Sequence, residues 1–525
     1  MKAPHKWLTA PLAAGLAAAL LSGCGSEPGG DSQGSADTVR IGMSDEILSI
    51  DPAAGYDPGS WILFNNVFQT LVAFPNGGTQ PAPEAAERCG FSAGSTVYTC
   101  TLRDGLKFSN GNPLTSKDVK FSFERALKID DPAGPAPLLA TIDTIETPDA
   151  RTVVFRLKVP DATFPSKIAS GAGSIVDHRE YPADGLRTDG KAIGSGPYKL
   201  DSYGETAAVF SANPDYHGTF KRKNEHVTLK LYRGDRKALA KALTGGDLDV
   251  AYRGLSDDDI VSLENATGSD QSLEVVQGSS AEVQHLVFNM DDPVTGKLGV
   301  RQAIAHLVDR EALVQNVYKS TATPLYSIVP AGIAGHNTAF YDTYGSPDRA
   351  KAEKALRSAG ITDKVRLTLW STPSRYGPAT DQELKAIARQ LNASGLFDAD
   401  VESVEFDQYE KDIAAGKYGV YVKGWVPDYA DADNFTTPFF GEDNVTGSSY
   451  RNKTVTGLLP KAAASADRGA ASADFGRIQD IVADEVPLLP LWQGKQYAVA
   501  RDVVTGLEWT LDANAVFRFW EIKAG

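Results

Sequence analysis

Apolar and polar positions alternate along several short stretches, and each such stretch predicts a strand. Thr38-Val-Arg-Ile-Gly-Met43 is one, Ser95 to Leu102 is another with Val97, Thr99 and Thr101 on one side, and Val365, Leu367 and Leu369 mark a third. Tyr418 to Val422 reads as a buried strand that leads into a turn. Other stretches follow the helical period. Leu384, Ile387, Ala388 and Leu391 recur at i, i+3, i+4 and i+7, with Thr380-Asp-Gln-Glu383 ahead of them as a capping box and Gly395 as a stop. Thr115 with Asp118 starts a helix carrying Val119, Phe123, Ala126 and Leu127, and Ser346-Pro347-Asp348 starts one that stops at Gly360. Strands interleaved with helices predict an α/β fold, and no repeat of about 20 to 50 residues points to a solenoid or propeller.

One apolar run is of a different kind. Lys2, His5 and Lys6 precede Trp7 to Leu21, about fifteen residues, too short to cross a bilayer core of roughly 30 Å as a helix. Residues 1–23 read as a signal peptide. Leu21-Ser-Gly-Cys24 closes the run and resembles the bacterial lipobox, which implies that Cys24 carries a diacylglyceryl group and becomes the mature N-terminus. Two acyl chains anchor stably where one would not. Residues 24–38, rich in Gly and Ser, read as a flexible tether. The folded part is thus expected outside the cytoplasm, held to the bacterial cell membrane only by its lipid.

Composition narrows the function. A chain of 525 residues has length for two to four domains at roughly 150 residues each. With 42% apolar and 23% charged residues it is a globular sequence, and a formal charge of −15 opposes phosphate backbones, so no nucleic-acid partner is expected. In an exported chain, Cys89 and Cys100 are expected to form a disulfide.

Catalytic patterns are thin. Gly30-Asp-Ser32-Gln-Gly34 fits GxSxG, but it falls in the tether, where no strand and helix can hold a strained nucleophile. The seven histidines are scattered without ligand spacing, so no metal site is expected. Asp257-Asp258-Asp259 fits a helix end better than a calcium loop, whose glycine and distant glutamate are missing. No catalytic residue and no cofactor is expected, and the protein reads as a non-enzyme.

Several ordered segments carry a resemblance. Tyr98-Thr-Cys-Thr-Leu-Arg103-Asp-Gly105-Leu-Lys-Phe108-Ser-Asn-Gly111-Asn-Pro113-Leu-Thr115-Ser-Lys-Asp118-Val-Lys-Phe121-Ser is close to the pattern LR-x-G-x-KF, DGxP, DVxFS. Gly194-Ser-Gly-Pro-Tyr-Lys-Leu200, Asn213-Pro-Asp-Tyr-His-Gly218, Gly246-Asp-Leu-Asp-Val250, Val300-Arg-Gln-Ala-Ile-Ala305, Asp309-Arg-Glu311 and Glu485-Val-Pro-Leu-Leu-Pro490 follow. Together they resemble the family 5 (peptide/nickel type) solute-binding proteins of ABC importers, nearly from residue 38 to the end. The resemblance implies a two-lobed clamp of the large, three-subdomain type II periplasmic-binding-protein form. Lobe I would hold residues 39–77, 194–283 and 498–525, with 78–193 as its inserted subdomain. Lobe II would hold 284–497, so the crossings fall near 284 and 498.

The same resemblance implies a ligand seam. Gly424-Trp425-Val-Pro-Asp428-Tyr429 looks like the family's W-x-x-D-Y/N loop, whose Asp takes a peptide's α-ammonium and whose Trp lines the cleft. A turn cap is the plain alternative for Asp428, and core packing for Trp425 and Tyr429. Arg375, in Trp370-Ser-Thr-Pro-Ser-Arg375-Tyr376, looks like the carboxylate-reading Arg of the dipeptide-binding branch, though here the loop reads one residue shorter and Tyr376 follows directly; a solvated surface Arg is the alternative. Asp51-Pro52-Ala-Ala-Gly-Tyr56-Asp57 matches the family's LDP segment, which places Tyr56 and Asp57 on the facing lobe.

The expected function is a monomeric, lipid-anchored receptor that delivers short peptides to ABC permease subunits served by cytoplasmic ATPases. The alternatives are an oligosaccharide or a nickel chelate as cargo, a sensing role without import, and an exported lipoprotein hydrolase.

Overall fold

The computed structural model describes residues 38–525 apart from 267–271, 320, 377 and 443. The signal peptide, Cys24, the tether through residue 37 and the GxSxG pattern lie outside the described residues. Of the described helices, none is long and apolar enough to cross a membrane.

Two long strands, Leu273–Phe288 and Leu488–Arg501, run antiparallel and join the two halves of an 11-stranded sheet. On one side the sheet continues through Val250–Tyr252, Thr38–Met43, His226–Leu231, Ala207–Ala212 and Tyr198–Tyr203. On the other it continues through Val420–Trp425, Val365–Ser371 and Phe397–Ser403. Thr38–Met43 is parallel to both of its neighbours and alternates as the sequence predicts, with Val39, Ile41 and Met43 wholly buried. Between the two halves the long ladder breaks: Ser279 still pairs with Lys495, but the next pair is Val283 with Gln493, which leaves residues 280–282 out of register.

The three largest hydrophobic cores among the described residues lie one under each half of the sheet and one around a separate four-stranded antiparallel sheet; a fourth, smaller cluster holds Leu239, Leu243 and Val499. That smaller sheet runs Ala86–Ser92, Val97–Leu102, Thr152–Leu157, Ile142–Glu146. Cys89 and Cys100 face each other across its first ladder and are joined by a disulfide. The result is the α/β two-lobed clamp that the sequence leads one to expect.

Local signals set most element ends. Thr115 and Asp118 form the capping box of helix Ser116–Ile129, the Thr115 amide donating to Asp118 Oδ2 at 2.8 Å. Asp348 caps Arg349–Ser358, and Asp259 Oδ2 accepts from the Ser256 hydroxyl at 2.6 Å at the start of Asp257–Ala266. The Thr380–Glu383 capping box does not form. Its helix begins earlier, at Pro378, so Thr380 is already inside it and donates its hydroxyl to the Tyr376 carbonyl at 3.3 Å, while Glu383 turns into the core. A proline suits a first helical position, and it moves the start upstream of the polar residue that looks like a cap.

The segment Asp51–Pro52 is tied to the smaller subdomain by a buried ion pair. Arg125 Nη1 and Nη2 donate to Asp51 Oδ1 and Oδ2 at 2.7 and 2.6 Å, with both side chains at most 2% exposed. The Ala53 and Arg187 amides add bonds to the same carboxylate at 3.0 and 2.7 Å.

Candidate functional site

Tyr56 and Asp428 meet across the seam between the lobes. The Asp51 anchor and helix Pro58–Val67 hold the intervening loop, which presents the Tyr56 hydroxyl to Asp428 Oδ1 at 2.7 Å. Asp428 Oδ2 accepts from the Asn434 amide at 2.9 Å, and Asn434 Oδ1 in turn accepts from the Asp428 backbone amide and from Trp425 Nε1 at 2.9 and 3.0 Å. Asp428 is only 8% exposed. Burial holds its carboxyl above the usual carboxylate range, against the bonds from Asn434 and Tyr56. Three residues singled out in the sequence therefore form one unit, and Asn434, which bonds both Asp428 and Trp425, is the member the sequence does not reveal.

The other candidates go elsewhere. Asp57 caps helix Pro58–Val67, accepting the Ser60 amide at 2.8 Å. Tyr429 lies among the side chains of the small-sheet core and donates its hydroxyl to Asp433 at 3.0 Å. The Ala162 amide bonds the Ala463 carbonyl at 2.8 Å, so the same subdomain also touches the far lobe through its backbone. Arg375 is exposed, stands 5.5 Å over the Phe406 ring and has no ion pair among the described residues. Its neighbour Tyr376 lies close over Gly424, where an added Cβ would come within 3.0 Å of the ring.

Tyr376 also lines a cavity of about 310 Å³ at the break in the long ladder. Asp45, Arg253 and Glu282 face this space, and Tyr318 and Trp492 line it as well. Arg253 is paired with Asp45 through its Nε and sits at φ +57, a left-handed conformation that a non-glycine residue enters at a cost. Gly254 makes that turn possible: it has φ +112, and a Cβ there would stand 1.7 Å from Ser44 Oγ. The Asp45 charge holds the Arg253 guanidinium above its ordinary range, against the effect of burial.

Tyr318 and Trp492 pack with ring centroids 4.7 Å apart and ring planes tilted by 50°. Glu383, wholly buried, accepts from the Gln284 amide at 2.6 Å through Oε2, while its Oε1, the Tyr318 hydroxyl and Trp492 Nε1 make no hydrogen bond of regular geometry. Burial pushes the Glu383 carboxyl up to about 7, against the neighbouring donors. The native state thus binds a proton that the unfolded chain gives up near its ordinary value. Stability is full below that value and falls as pH rises toward 7, by up to about 3 kcal/mol. Urea denaturation at pH 5, 6, 7 and 8 should show the wild type losing stability across this window and Glu383→Gln losing distinctly less. Equal losses would remove Glu383 as the source.

Asp118, Asp177 and His178 bring ligand-type atoms close together, but these acids are already engaged. Arg179 Nε donates to Asp177 at 2.5 Å, Asn112 donates to the same carboxylate at 2.7 Å, and His178 Nδ1 lies 2.6 Å from Asp118. Asp118 is also the helix cap described above.

Comparison with known proteins adds the following. The profile of the bacterial extracellular solute-binding proteins, family 5 (middle), matches residues 80–447. The chain is 28% identical over 481 residues to the "Probable D,D-dipeptide-binding periplasmic protein DdpA" of Escherichia coli, covering 88% of this chain and 90% of that one. It is 26% identical over 509 residues to di/tripeptide-binding protein 1 of Pseudomonas aeruginosa, covering 90% and 92%. The solved structure of the periplasmic binding protein DppA from Helicobacter pylori, in complex with peptide STSA, superposes with a TM-score of 0.76 at 24% identity, covering 93% of this chain and 98% of that one.

Proposed function

Because this chain belongs to the bacterial extracellular solute-binding proteins of family 5, we propose that it is the extracytoplasmic receptor of an ABC importer and captures short peptides between its lobes. Relatives named for dipeptides and tripeptides support the cargo. One observation carries the reading: Asp428, a carboxylate shut away from water at the seam, is bonded across it by a hydroxyl from the other lobe. An α-ammonium at that point brings a counter-charge to a carboxylate that burial disfavours.

The exposed Arg375 supplies a fork for the peptide's carboxylate. Tyr56 then closes over the bound amine, and contacts to both lobes favour the shut state. No bond in the cargo is broken. Anchoring through a lipid on Cys24, and delivery to permease subunits driven by ATPases, complete the proposal.

Calorimetry with Ala-Ala, Ala-Ala-Ala, N-acetyl-Ala-Ala, maltotriose and nickel-histidine tests it. Heat is expected with the free-amine peptides, with N-acetylation weakening binding at least about tenfold, the loss of one charge-assisted hydrogen bond. Heat from the saccharide or the nickel complex alone would overturn the peptide reading, and mass spectrometry recovering a cleaved peptide would overturn the transport role.

A further inference from the structure

The cavity at the break in the long ladder contains a carboxylate that the seam described above leaves unused. Residues 280–282 lie outside the strand register, and this irregularity turns Glu282 away from the ladder and into the cavity. The Ser280 hydroxyl accepts the Glu282 backbone amide at 3.0 Å and fixes the turn. Gly494 lies beside it: a Cβ there would stand 3.4 Å from the Trp492 ring and 3.8 Å from Glu282 Oε2, so the acid and the indole flank the same position. Among the described residues, no cation lies within ion-pair distance of Glu282. Arg253, whose charge acts on Glu282, is already committed to Asp45.

The field around this carboxylate comes from Arg253 and Arg375 on one side and from Asp45 and Asp257 on the other. Burial and the two acids hold the Glu282 carboxyl above its usual range in spite of Arg253. Tyr318 and Trp492, 5% and 9% exposed, also line the cavity, with their polar atoms turned toward the buried Glu383. An acid without an ion-pair partner, in a cavity of about 310 Å³ that two aromatic rings also line, suits a long aliphatic stem that ends in a cation.

We propose that Glu282 receives the basic side chain of a bound peptide, so that this protein selects peptides carrying lysine or arginine over neutral ones of equal length. The inference rests on the peptide reading above and adds a substrate class to it. The strained turn at Arg253 serves the same end: it locks the guanidinium onto Asp45 and keeps it from neutralising Glu282.

The test is calorimetry on the full chain with Ala-Lys, Lys-Ala, Ala-norleucine, norleucine-Ala and Ala-Glu. At least one lysine peptide should bind about 10- to 100-fold tighter than its norleucine counterpart, the range of one charge-assisted hydrogen bond. In Glu282→Gln the ratio of lysine to norleucine affinity should fall to near one. Equal binding of all five peptides by the wild type overturns this inference and leaves the peptide reading standing, whereas no binding by any of them overturns both. A lysine preference that survives Glu282→Gln, or tighter binding of Ala-Glu, also overturns it. Should the Gln variant fail to fold, the wild-type comparison of lysine, norleucine and glutamate peptides still decides.

Discussion

Asp428→Ala is expected to bind free-amine peptides 100- to 1,000-fold more weakly than the wild type, a loss of about 3–4 kcal/mol. The size follows from burial. The carboxylate is 8% exposed, so an ammonium bound there loses its water, and without the counter-charge nothing repays that loss. Alanine also leaves the Tyr56 hydroxyl and the Asn434 amide without an acceptor, so part of any change could be structural. Asp428→Asn separates the two effects, because it preserves the volume while removing the charge. In that variant the ratio of affinity for Ala-Ala over N-acetyl-Ala-Ala should collapse to near one, a difference that general loosening of the seam does not produce. If Asp428→Ala holds Ala-Ala within about threefold of the wild type, the ammonium goes elsewhere.

Arg125→Ala should destabilise the protein by about 3–5 kcal/mol, measured by urea denaturation of the subdomain that contains it. The remaining Asp51 carboxylate would stay buried with only the Ala53 and Arg187 amides to support it, and the carbonyls of Pro182 and Gly185 would lose their donor. Four residues of chain separate Asp51 from Tyr56, so loosening this anchor should also loosen the loop that closes on Asp428. Arg125→Lys keeps the charge but not the bidentate fork, and should recover only part of the loss. A loss under about 1 kcal/mol in Arg125→Ala would show that the pair contributes little beyond its packing.

Much of the scaffold was legible in the sequence because it depends on near neighbours. Thr115 and Asp118 are three residues apart and cap the helix as that spacing dictates, and Val39, Ile41 and Met43 face the core at the strand period. Thr380 and Glu383 have the same spacing with a different outcome, because Gln284, 99 residues away, offers the glutamate a buried partner and Pro378 starts the helix first. The seam was legible in part. A family likeness picks out Trp425 and Asp428, but Asn434 acquires its role only when the loop folds back on itself. The cavity was not legible. Asp45, Arg253, Glu282 and Trp492 come from four distant segments, and what brings Glu282 inward is a register break that no local pattern announces.

Tyr429 has an implication for how long cargo is retained. Its ring, 2% exposed, directly follows Asp428 in the chain and is packed among residues of the small-sheet core. An opening that separates the Asp428 loop from that core would wet the ring again, at a cost of about 1.5–3 kcal/mol set by the protein and not by its passenger. Escape of a weakly held passenger is therefore slowed as much as that of a tightly held one. A receptor built this way gains residence time without narrowing the range of cargo it accepts.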